Sequence, residues 1–207
     1  MFLKKYLLWI LLFGSLIGLS ETLIASFDIP YRSVLLSSIT ILLLSMARFQ
    51  IPKSGTSFLI IAIAILFKIN NFGFYTCSPN FLLCGPTAMI MLGISYEVFA
   101  SLFIRKDTLK YLSFILTCGI TAILTFSIFG IMNTYILKTW DTTRLTEYIL
   151  IKSTLTAILS GAVSMLVLYL MKAFKSESSL KFSQYVINSL LGIVVVVLWV
   201  FGSLTKF

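Results

Sequence analysis

Three ionisable side chains, Glu21, Lys68 and Glu97, stand inside otherwise apolar runs of this 207-residue chain. A charge near the middle of a bilayer costs about 2.5–3.5 kcal/mol on insertion scales, so such residues are kept for a partner or for a function. Histidine is absent, which removes the commonest general base and the commonest metal ligand. No Ser or Cys can pair with a His base, and no two carboxylates lie one helical turn apart as a metal site wants. Lys53-Ser54-Gly55-Thr56 lacks the upstream glycine and the residue order of a phosphate-binding loop. The chemistry open to these side chains is therefore binding. The sequence predicts no enzyme, no cofactor and no metal.

The elements that must position them are helices in a membrane. Hydrophobic residues make up 59% of the chain and charged residues only 11%, with a mean hydropathy of +1.04. A water-facing surface needs roughly a quarter of charged residues. That excludes a soluble enzyme, a secreted disulfide scaffold and a disordered partner. The fold class expected is all-α, a polytopic transmembrane bundle of six or seven spans forming a single domain over 1–207. Crossing the hydrocarbon takes about 20 mostly apolar residues. Such segments run near 6–27, 33–47, 57–73, 81–104, 109–136, 146–171 and 184–204. The second is short, and reads either as a full span or as a partly inserted helix.

Charge and aromatic placement give an orientation. Sixteen Lys and Arg stand against seven Asp and Glu, a balance that can mean nucleic acid but here follows the loops. If the segments alternate, Lys4, Lys5, Arg48, Lys53, Arg105, Lys106, Lys110, Lys172, Lys175 and Lys181 all share one side. The positive-inside rule makes that side cytoplasmic, with the N-terminus inside and, for seven spans, the C-terminus outside. Tyr31, Tyr75, Tyr135, Trp140 and Tyr148 fall near the outer ends, and Tyr6, Tyr111 and Tyr185 near the inner ones, as interfacial belts do. Lys4-Lys5, an apolar run and Gly18-Leu19-Ser20 resemble a signal peptide, but the apolar stretch continues past Glu21, which favours a retained helix. The abundance of Ile and Phe fits an AT-rich bacterial genome. The expected location is the inner membrane of a cell, in contact with the lipid bilayer and without nucleic acid.

On this layout Glu21 and Lys68 lie at nearly the same depth, six and five residues before the outer ends of their segments. They form either an ion pair that fixes helix register or a polar site for a substrate entering from outside. Glu97 lies in the inner half of its segment. It is either a helix-end carboxylate reaching Arg48 or Arg105, or a group that exchanges partners during a transport cycle. Gly14 and Gly18, with Ser15, make a small-residue face, suited to close helix packing inside the chain or to docking a separate subunit.

The outer region after Lys68 is polar and aromatic. Asn70, Asn71, Thr76, Ser78 and Asn80, with Phe72, Phe74 and Tyr75, suit a small organic ligand, amides orienting it and rings stacking on it. They equally suit an ordinary interfacial loop, to which Asp28 and Arg32 could add charge. Cys77 and Cys84 flank this loop, and an oxidising exterior would permit a disulfide between them; the alternative is two unrelated thiols. Cys118 lies within the fifth segment as a small packing residue.

Gly14-x-x-x-Gly18-x-x-Glu21, Pro52-Lys53-x-Gly55, Lys68, Pro86 and Gly93-x-x-x-Glu97 together resemble the substrate-binding S components of energy-coupling factor transporters. The resemblance covers residues 14–97, under half the chain. It implies a bundle of six helices, a vitamin or similar small metabolite bound from the external face, a transmembrane coupling subunit and two ATPases. It implies Gly14 and Gly18 at the coupling face, and Glu21, Lys68, Asn71, Tyr75 and Asn80 near the ligand. Seven segments depart from that pattern. A non-catalytic accessory or assembly subunit of a membrane complex is the alternative.

Overall fold

The computed structural model describes residues 2–27, 29–72, 84–103, 110–177 and 184–204. They are helical, with no strand among them. The helices are α1 Phe2–Ser26, α2 Arg32–Gln50, α3 Thr56–Phe72, α4 Cys84–Phe103, α5 Lys110–Ile131, α6 Thr142–Glu147, α7 Ser153–Glu177 and α8 Gln184–Leu204. A π-helical turn, Met132–Ile136, extends α5, and another, Tyr148–Lys152, joins α6 to α7. Seven rods result, in register with the apolar runs.

Five rods are long and apolar enough to cross a membrane, over Tyr6–Ile24, Arg32–Gln50, Gly85–Phe103, Leu112–Ile136 and Thr142–Leu166. The second segment is therefore not the short one. The helix runs beyond the expected end at 47 to Gln50, with the Arg48 side chain buried rather than exposed in a loop. The shorter apolar stretches are Thr56–Asn70 and Ser189–Gly202. The segment expected near 146–171 starts earlier, where Asp141 caps α6 by accepting the Arg144 backbone N–H at 2.8 Å. A side-chain oxygen there satisfies one of the donors every helix start leaves unpaired.

Between lipid-like tails no hydrophobic force pulls helices together, so association depends on close backbone approach and on bonds between helices. The tightest contact is α1 against α3. A Cβ at Gly14 would lie 2.6 Å from Ile63 and 2.9 Å from the Ile60 carbonyl oxygen. One at Gly18 would lie 2.8 Å from Phe67 and 2.9 Å from the Ala64 carbonyl oxygen. Because the residue numbers rise together on both helices, α1 and α3 run parallel, with α2 returning beside them. The small-residue face is thus filled from within the chain. α8 seals the same pair: Trp199 packs edge-on against Phe67, ring centroids 5.1 Å apart, and donates its indole N–H to Ser15 Oγ at 2.8 Å. α4 packs on α3, α5 on α4, and α7 on both α5 and α2. The apolar core runs through Ile17, Ile41, Leu44, Ala64, Leu92 and Ala122.

Candidate functional site

Glu21 and Lys68 meet. Lys68 Nζ lies 3.1 Å from Glu21 Oε1, so α1 and α3, held parallel by Gly14 and Gly18, bring the two charges level as their depths require. The pair sits against the first turn of α4. A Cβ at Gly85 would lie 2.7 Å from Lys68 Nζ and 3.7 Å from Glu21 Oε1, so glycine there makes room for the ammonium. Pro86 follows within that first turn, where a missing N–H breaks no helical bond. Among the described residues Glu21 is the one partner of Lys68, whose side chain stays 25% exposed. The ammonium carries three donors; one is used here, and the site lies where the α3–α4 connection begins.

Glu97 has a different environment. It is 5% exposed and accepts from three donors: the Gly55 backbone N–H at 2.7 Å, the Ser57 backbone N–H at 3.2 Å and Arg48 Nη1 at 3.4 Å. The turn it holds is Pro52 to Gly55, with Gly55 at φ +85°, a conformation that favours glycine. Arg48 Nη1 also donates to the Lys53 carbonyl, which Thr56 Oγ1 approaches at 2.7 Å. The carboxylate of α4 therefore caps the N-terminus of α3 from outside, where backbone N–H groups and the helix dipole both favour a negative charge. Of the two arginines expected as partners, Arg48 is the one found; Arg105 lies outside the described residues.

Other candidate residues fall partly or wholly outside what is described. Asn71 closes α3 and Cys84 opens α4, but neither side chain is described, and Tyr75, Cys77 and Asn80 lie outside the described residues altogether. The Cys77–Cys84 pairing lies there with them. Cys118 is a free, buried thiol. Among the described residues no cluster of acids and cysteines could hold a metal ion. Two hollows among them are apolar. One, of about 430 Å³, lies between α5 and α7 over Gly119, Ile120, Ala157 and Gly161; the other lies between α3 and α4 over Ile61, Ile65 and Gly93.

Two features escaped the sequence reading. The first is a buried polar chain across four helices. Tyr96 donates its hydroxyl to Ser45 Oγ at 3.2 Å; Ser45 Oγ lies 3.5 Å from Cys118 Sγ, which donates to Ser164 Oγ at 3.5 Å. Its signal was present as serines and threonines at helical spacing, which hydropathy averaging conceals. The second is an aromatic cluster where α5 gives way to α6. Trp140 and Tyr148 pack with their rings tilted at 57°, centroids 4.6 Å apart, Phe129 stands edge-on to Trp140 at 5.8 Å, and Arg144 lies 4.9 Å over the Trp140 ring. Lys152 lies 4.9 Å over the Tyr148 ring and 3.6 Å from Glu147. The sequence places both rings in an interfacial belt; their packing against each other, and Arg144 over Trp140, depend on the fold. Compared with known proteins, the chain matches no protein-family model, no curated protein and no solved structure.

Proposed function

We propose that this membrane-embedded helix bundle binds a small polar metabolite, of the size of a vitamin, at the Glu21–Lys68 end of the bundle, as the substrate-binding subunit of an uptake system. The observation that carries the reading is Lys68, whose side chain is 25% exposed, with Glu21 as its one partner among the described residues and α4 starting beside it. A charge held this way retains donors for a ligand, and intramembrane ionisable groups that keep such capacity mark substrate paths. The orientation belongs to the same proposal. Arg48 and Lys53 flank the α2–α3 turn, while Trp140, Tyr148 and Arg144 gather at the other end. By the positive-inside rule the turn and the N-terminus are cytoplasmic and Lys68 faces outward, in an inner membrane of bacterial type.

In an energy-coupling factor arrangement, a coupling subunit and ATPases would drive release. Gly14 and Gly18 are filled by Ile63 and Phe67, so such a subunit would dock on another face than the one the resemblance implies. The second reading, a non-catalytic accessory subunit, is favoured by a specific observation: the hollows between α5 and α7 and between α3 and α4 are lined by apolar residues.

Thermal unfolding of the purified protein against a panel of vitamins and nucleobases tests the proposal. One compound is expected to raise the midpoint in the parent protein and to lose that effect in Lys68→Met and Glu21→Gln. A flat response across the panel, with stable co-purification of a membrane complex, would leave the accessory reading standing.

A further inference from the structure

A strip of hydroxyls runs through the bundle apart from the Glu21–Lys68 and Arg48–Glu97 pairs. Thr117, Thr121 and Thr125 recur at every fourth residue of α5, and Ser153, Thr156, Ser160 and Ser164 follow helical spacing on α7. All seven are buried. A Cβ at Gly119 would face Ala157, and one at Gly161 would face Ile115, so α5 and α7 are antiparallel. At about 1.5 Å of rise per residue, this register brings Thr117, Thr121 and Thr125 level with Ser160, Thr156 and Ser153. α2 enters the seam at Ser45, beside Cys118. Ser38, two turns away along α2, comes level with Thr125 by the same count.

Hydrogen bonding in the seam is one-sided. Ser45, Thr117, Ser153 and Thr156 donate their protons backward to the carbonyls of Ile41, Ser113, Ile149 and Lys152 on their own helices. What they offer the seam is lone pairs. Ser38, Thr121 and Thr125 have buried hydroxyl oxygens without a partner among the described residues, and none of the three residues is more than 4% exposed. Native proteins resolve buried polar groups with a partner, commonly ordered water.

We infer that the seam between α2, α5 and α7 is a hydration site, in which water molecules bridge Ser38, Thr121 and Thr125. The charge pattern selects the ligand. α2 and α5 contain no acid, and the one acid of α7 is Glu177 at its end, so a cation in the seam would stand unneutralised in low dielectric. An anion would face lone pairs. Water both donates and accepts, which matches acceptor-lined walls carrying free hydroxyl protons at three points. Toward the α2–α3 turn the seam is closed by direct bonds among Tyr96, Ser45, Cys118 and Ser164, so the water site ends at the Cys118 thiol. This inference stands apart from the ligand at Lys68.

Cys118 and Tyr96 report on it. In lipid nanodiscs, a brief X-ray pulse turns bound water into hydroxyl radicals that oxidise the side chains beside it. Met89, buried at 4% in apolar surroundings, is the dry reference. Oxidation of Cys118 and Tyr96, corrected for intrinsic reactivity, is expected several-fold above that of Met89, and is expected to fall toward the Met89 level in T121V/T125V. Equal, low oxidation of all three residues would overturn the inference, and so would oxidation of Cys118 that the double variant leaves unchanged. Thr125→Val and Ser38→Ala, made singly, provide the same readout should the double variant fold poorly; each is expected to lower Cys118 oxidation in part.

Discussion

The two ends of the bundle each hold a carboxylate and a cation, yet they use them differently. At the α2–α3 turn, Glu97 is enclosed and accepts from Gly55, Ser57 and Arg48. At the opposite end Glu21 meets Lys68 beside Gly85, and the pair remains partly open. Burial with saturated partners makes a lock, because nothing further can bind without breaking what is there. Partial burial, with one donor of the ammonium engaged among the described residues, leaves capacity for a ligand. Equal formal charge thus yields a structural fastening in one place and a candidate binding point in the other.

The largest effect should come from breaking the lock. Removing one partner of a buried, hydrogen-bonded ion pair costs about 3–5 kcal/mol, and Glu97→Ala also strips two backbone donors of α3 of their acceptor. Unfolding in mixed micelles should show a loss of that order, with Arg48→Met somewhat less harmful because Glu97 would keep its backbone partners. If Glu97→Ala cost no more than Glu21→Ala, the distinction between the two ends would be lost.

Next comes the open pair. Lys68→Met leaves Glu21 as a lone carboxylate against α4, at a cost nearer the lower figure of about 2.5 kcal/mol for an uncompensated charge in lipid. Glu21→Gln combined with Lys68→Met removes both charges and should recover most of that stability, as neutral replacements of ion pairs often do. The ligand-induced shift should remain absent in the double variant. Recovery of stability together with recovery of the shift would show that the pair has no part in binding.

The helical layout was legible because a membrane needs long apolar runs, and these dominate any sequence average. The depth match of Glu21 and Lys68 followed from helical rise alone. Their lateral contact did not, since it depends on α1 lying parallel to α3, which Gly14 and Gly18 bring about through a contact between non-consecutive helices. The end of α2 was misjudged for a related reason: Arg48 looks like a water-facing exit until Glu97, 49 residues later, is seen to neutralise it. The Tyr96–Ser45–Cys118–Ser164 chain stayed hidden because hydropathy gives small hydroxyl residues little weight, and only packing shows that they face inward. No sequence pattern singles out Gly85, because its importance lies in what a Cβ would strike.

A smaller effect is expected where the two ends are bridged at mid-height by α8. Trp199 donates to Ser15 on the same helix that carries Glu21, and bonds between helices in membranes average about 0.6 kcal/mol. Ser15→Ala should therefore lower stability by about that amount, measured by the same unfolding titration, and should leave the ligand response intact. A loss of the ligand response with so small a change in stability would mean that α8 positions α1 for binding.

The smallest change in stability, and the sharpest test of the open end, is Gly85→Ala. The added Cβ would stand 2.7 Å from Lys68 Nζ, which is the far end of a flexible side chain and can swing aside. Alanine meanwhile favours helix over glycine by roughly 0.5–1 kcal/mol, offsetting the weakened ion pair. The unfolding midpoint should hardly move. Ligand stabilisation should nevertheless fall, because the ammonium would be displaced from the place where α4 begins. Gly55→Ala is the matching variant at the locked end: its Cβ meets nothing within 4 Å but is strained by φ +85°. It should cost stability and spare the ligand response. If the two alanines exchanged these outcomes, the assignment of lock and binding point would have to be reversed.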